Sequence, residues 1–132
     1  MADIDAALAG TAPARRISDQ LARHALAKPE AWEDEPWEGD RVAKVRKKIF
    51  VFLPSNDAGS LGVKIPHSRV YAATLPCAVP MAYGLGKHGW VTIHLDHTSR
   101  PAVALLRDWI DESYAAIAPV TLVRLAESVN EP

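Results

Sequence analysis

The sequence predicts an α+β fold, an antiparallel β-sheet with helices packed on it. Three observations carry that prediction. A dense β-branched and aromatic run, Ile49 to Leu53, follows a weakly alternating segment, Val42 to Val45, with only Arg46, Lys47 and Lys48 between them. That spacing suits a hairpin. Trp90 to Leu95 alternates cleanly, with Val91, Ile93 and Leu95 on one face and Trp90, Thr92 and His94 on the other. Beyond Pro101 the period becomes helical: Ala102, Leu105, Leu106, Trp109, Ile110, Ser113 and Ile117 form one apolar stripe.

The remaining elements follow in chain order. Residues 1–13 are small and unpatterned and are expected to fray. Ile17, Leu21 and Ala25 recur at spacing four, which predicts a helix from Ala14 to about Ala27, stopped by Lys28-Pro29. In the hairpin, Ala43 and Val45 face one way and Lys44 the other. Ser55 to Ser60 is a turn, and Leu61 to Ile65 a third strand before Pro66. His67 to Leu75 reads as a brief helix offering Val70 and Leu75 to the core, and Pro76 and Pro80 bracket an irregular stretch. On the long helix Arg107 and Asp111 form an i,i+4 pair on the wet face. Pro119 opens a last helix carrying Leu122, Leu125 and Val129. The expected order is α-β-β-β-α-β-α-α.

Composition narrows the class. At 132 residues, 48% hydrophobic and 23% charged, the chain is sized for one globular domain over residues 14–132. Cys77 stands alone, so an internal disulfide framework is impossible. It lies in an apolar, proline-flanked stretch, where a buried inert thiol is expected. No apolar stretch reaches the ~18 residues of a membrane span, and no secretory leader is evident. A cytoplasmic monomer that meets no membrane is the expectation.

Net charge is only −1, but it is unevenly distributed. Six acids lie between Pro29 and Asp40 (Glu30, Glu33, Asp34, Glu35, Glu38 and Asp40) with no base among them. Five bases follow between Arg41 and Lys48 (Arg41, Lys44, Arg46, Lys47 and Lys48) with no acid. Either these blocks are solvated segments that neutralise one another, or the second is a basic hairpin that meets an anion.

Motifs for catalysis are weak. Gly84, Gly86 and Gly89 spell G-x-G-x-x-G, but a proline-bearing loop precedes them and a strand follows, where a dinucleotide site needs a strand and then a helix. Lys87 is followed by His88, which excludes a phosphate-binding P-loop. His94, Asp96 and His97 begin a metal-ligand pattern with too few ligands to finish it. No nucleophile signature occurs. A non-enzyme without cofactor or metal is expected. Phe50 and Phe52 share a strand face by alternation, which suits bases stacking on an open sheet or, more simply, a core under helices.

Three stretches together resemble the MmcQ/YjbR family of small bacterial proteins. They are Pro36-Trp37-Glu38-Gly39 with the hairpin Val42-Ala43-Lys44-Val45 and Lys48-Ile49-Phe50-Val51; Tyr83-Gly84-Leu85-Gly86-Lys87-His88-Gly89-Trp90-Val91; and Ser113-Tyr114. The resemblance spans about Ile17 to Leu125. It implies an α+β fold similar to CyaY-like and secretion-chaperone-like domains, DNA binding through a double wing of hairpins, and no catalytic residues or cofactor. The chain departs from the family at Ala43, where an aromatic is common, and at Arg46 and Lys47, where a glycine often turns the hairpin.

The leading expectation is a non-catalytic DNA-binding module. Lys44, Arg46, Lys47 and Lys48 on the hairpin and Lys87 and His88 on the glycine-rich loop would meet phosphates, with modest, largely sequence-independent affinity. Trp90 either wedges against bases or shields the sheet. The alternative is a protein-interaction module whose acidic block takes a basic partner; metal binding by those acids rests on fold analogy alone. Their arrangement in space discriminates: a positive face clear of the acids favours DNA, and interleaved charges favour the interaction module.

Overall fold

The computed structural model describes residues 12–54 and 59–130. Among the described residues, four helices and one 3-10 turn accompany a six-stranded antiparallel sheet. In chain order the elements are α1 (Ala12–Leu26), β1 (Ala31–Trp37), β2 (Asp40–Val45), β3 (Lys48–Phe52), β4 (Ser60–Lys64), α2 (Arg69–Ala72), β5 (Ala78–Pro80), the 3-10 turn (Gly86–His88), β6 (Trp90–His94), α3 (Val103–Ile117) and α4 (Val120–Asn130). The sheet order is β1-β2-β3-β4-β6-β5. The expected tail lies outside the described residues except at Ala12 and Pro13, which open α1, and most of the Ser55–Ser60 turn lies outside them too.

Helices cover one face. Leu21 and Ala25 of α1 and Leu106, Trp109, Ile110 and Tyr114 of α3 close over Ala43, Val45, Val51, Leu61, Val63, Val91 and Ile93. The β6 alternation is as expected, with Val91, Ile93 and Leu95 buried and His94 exposed. Asp111 does not pair with Arg107. It turns toward α1, where Lys28 Nζ lies 2.5 Å and His24 Nε2 2.7 Å from its Oδ1. Cys77 is buried, its N–H donating to Ser99 Oγ at 2.9 Å.

Two strands depart from expectation. β1 is built from the acidic block and forms an edge, paired to β2 from Ala31↔Val45 to Asp34↔Val42. Its exposed outer side, its acids, Pro36 and a register shift before Trp37 all discourage pairing with another chain. β5 occupies the stretch expected to be irregular, and its proline is tolerated because the strand is the opposite edge. The short helix is one turn, so Val70 points to solvent and Ala72 takes the buried position.

A bulge in β3 reorganises the hairpin. Ala43 pairs with Val51 but Lys44 with Ile49, so Phe50 is the extra residue. Phe50 therefore joins Val51 in the helical core, edge-on to Tyr114 at 5.2 Å, while Phe52 faces the other side, edge-on to Trp90 at 5.4 Å. The two phenylalanines do not share a face. Where the bulge spoils the ladder, the α3 hydroxyl of Ser113 donates to the Phe50 carbonyl and accepts from the Lys64 N–H at 2.8 Å.

Candidate functional site

Strand register decides which candidate residues meet. The β2–β3 turn is two residues long, since Val45 pairs with Lys48. Arg46 occupies its left-handed position at φ 55°. On the other side of β4, the Ile65 N–H donates to the Gly89 carbonyl at 2.9 Å, which sets the 3-10 turn at the same end of the sheet. The hairpin turn and the glycine-rich turn are thus two strand spacings apart, about 10 Å. Lys47, Lys48, Lys87 and His88 are exposed there, and none is in an ion pair among the described residues.

The other candidates are engaged. Lys44 Nζ lies 2.7 Å from Asp34 Oδ2 and sits over the Trp32 ring, 5.2 Å from its centroid. Arg46 pairs with Glu30 at 3.3 Å, while its carbonyl accepts from Trp32 Nε1 at 2.8 Å. Arg41 makes a two-pronged contact to Glu33 at 2.9 and 3.1 Å. The Arg41 hydrogen bond holds the Glu33 carboxyl below the usual range, and Lys44 does the same for Asp34. Acids and bases therefore interleave along β1 and β2 and into the turn at Arg46, and only Lys47 and Lys48 stay clear.

Trp90 is 7% exposed, packed on Phe52, and forms one wall of a cleft of about 320 Å³ with Val70, Val79 and Pro80. A ring held that way shields the sheet. Within the glycine motif Gly84 and Gly89 take φ of 78° and 92°, and Gly86 is required by space: a Cβ there would lie 2.8 Å from Pro80 Cβ and 3.0 Å from the Met81 carbonyl oxygen. Among the described residues, no three His, Cys, Asp or Glu side chains cluster to hold a metal.

The face opposite the helices holds what the sequence reading missed. Val42, Phe52, Gly62 and Thr92 stand in one cross-sheet row there. A Cβ on Gly62 would lie 2.9 Å from Phe52 Cβ and against the Met81 side chain, so glycine is what fits beneath the start of the following loop. The loop carries Tyr83, a non-glycine at φ 62° whose side chain is 99% exposed. Left-handed backbone costs such a residue about 1–2 kcal/mol, and the result is a ring displayed in water. Trp37, 58% exposed, faces the same space, and together with Asp40, Phe52 and Leu85 the two rings line a cleft of about 510 Å³. A tryptophan at the end of an acidic run without apolar alternation was the one available signal.

The YjbR family model matches residues 26–116, which includes the hairpin, both turns and most of α3. The chain belongs to the YjbR family. A crystal structure from Deinococcus radiodurans, of a protein with a DUF419 domain, is similar to it in fold, with a TM-score of 0.61 at 18% sequence identity. That likeness covers 86% of this chain and 88% of the other. No curated protein matches the sequence. The family match places Ser113-Tyr114 inside a YjbR domain; here their hydroxyls bond the Phe50 and Pro29 carbonyls, so the pair is structural. No helix among the described residues is long and apolar enough to cross a membrane.

Proposed function

We propose that this YjbR domain is a non-catalytic DNA-binding module that meets the duplex backbone with one end of its sheet. The interleaved charges of β1 and β2 count toward an interaction module; what supports the DNA reading is that Lys47, Lys48, Lys87 and His88 lie at one end of the sheet, all exposed and without an acidic partner among the described residues. Lysines carried on two adjacent turns can straddle a phosphate backbone, and contacts of that kind position a protein without reading sequence. Lys44 and Arg46 contribute little, because releasing them from Asp34 and Glu30 offsets what a phosphate would return.

A duplex titration at several salt concentrations tests this. Three lysine contacts give a log-log slope of about −2.7, at ~0.9 per phosphate neutralised. Changing Lys47, Lys48 and Lys87 together to alanine flattens the slope by roughly 2 to 3, whereas Arg46→Ala leaves it almost unchanged. Absence of salt-dependent binding by the parent chain ends the DNA reading.

A further inference from the structure

The end of the sheet opposite the basic turns has the reverse character. Trp37, Phe52 and Tyr83 present rings to one cleft of about 510 Å³, with Leu85 beside them and Asp40 at the edge. Phe52 meets Trp90 edge-on. Among the described residues neither Trp37 nor Tyr83 stacks on another ring, so the space between them is open to a guest. Glu35, Glu38 and Asp40 lie on the same strand end and turn, and among the described residues none is in an ion pair.

We infer that this cleft binds an alkylammonium cation, with the three rings as its walls and the Asp40 carboxylate as its counter-charge. Aromatic faces attract a cation through the ring quadrupole. The chemistry selects among cations. Beyond the Asp40 carboxylate, the side chains that line the cleft offer only the Tyr83 hydroxyl as an acceptor. A primary ammonium or a guanidinium gives up hydration that these walls replace poorly, whereas a quaternary ammonium carries no N–H donor to satisfy. A nucleotide is disfavoured by the acids at this end, where the one neighbouring base among the described residues, Arg41, is already paired with Glu33. The inference does not depend on the DNA reading, because none of the side chains proposed to meet phosphate takes part.

Choline is the probe, with 3,3-dimethylbutanol as its neutral isostere and potassium chloride as the ionic-strength control. The readout is the Trp37 indole N–H signal in a ¹H–¹⁵N spectrum, assigned through Trp37→Phe. Choline shifts that signal saturably and the neutral isostere does not. Tyr83→Ala weakens binding about two- to fivefold, Tyr83→Phe retains it, and Asp40→Asn weakens it, both sites being exposed enough to leave the fold intact. A peptide bearing trimethyllysine that binds more tightly than choline assigns the cation to a partner protein; equal binding assigns it to a free small molecule. The inference is overturned if dimethylbutanol moves the Trp37 signal as far as choline, or if choline leaves it in place.

Discussion

Ser113 shows how much one hydroxyl can hold. It sits on the helix face that pattern reading assigned to apolar packing, yet it is fully buried and bonded to two backbone groups of the sheet. Ser113→Ala keeps the volume and strands both the Phe50 carbonyl and the Lys64 N–H. Each buried orphan costs about 1–3 kcal/mol, so the variant should lose about 2–6 kcal/mol in a urea titration. An unchanged midpoint would mean that the strands re-pair without it. Tyr114 was absent from the expected stripe although it is buried against Phe50, because its hydroxyl reaches back to Pro29 across 85 positions of sequence. No periodicity within α3 can announce such a partner.

At the scale of elements, the hairpin turn invites a direct test. Arg46 is left-handed where the YjbR pattern often has glycine. Arg46→Gly removes that strain and gives up only an exposed ion pair with Glu30, and it keeps the carbonyl that Trp32 bonds. A gain of about 0.5–1 kcal/mol is expected from a denaturant midpoint; a loss would show that the Glu30 pair outweighs the backbone term. The strands with apolar alternation, β2, β3, β4 and β6, were legible because burial wrote their pattern into the sequence. β1 was not, since its outer side is wet and its cross-strand partners are charges: Arg41 for Glu33 and Lys44 for Asp34. The bulge at Phe50 was equally hidden, and with it the fact that Phe52 faces the cleft. The candidate site suffered accordingly: the turn lysines could be read from their positions, whereas the acids that neutralise Lys44 and Arg46 depend on a strand that was not foreseen.

For the molecule as a whole, three carboxylates tie its stability to acid. Glu33 and Asp34 are held below their ordinary values by hydrogen bonds from Arg41 and Lys44. Burial pushes Asp111 up, but hydrogen bonds and charge from His24 and Lys28 outweigh it, and the net direction is down. A carboxylate depressed in the folded state contributes stability above its unfolded value and loses it as pH falls through the folded one. Unfolded values of 4.5 and 3.8 therefore set the window. Stability should hold down to about pH 5 and fall steadily below pH 4. Asp111→Asn should show a shallower decline, followed by urea midpoints across that range; an identical decline would move the acid sensitivity elsewhere.

The hydroxyl that bridges Phe50 and Lys64 also bears on how the chain reaches this state. Its two bonds span 63 and 49 positions, so the seam between β3 and β4 cannot be finished until the far end of the sequence has folded and arrived. Contacts at such separations demand loop closure before they return any stabilisation, and they slow folding. As synthesis proceeds, the hairpin emerges early and waits with an open seam, and α3 is the piece that shuts it.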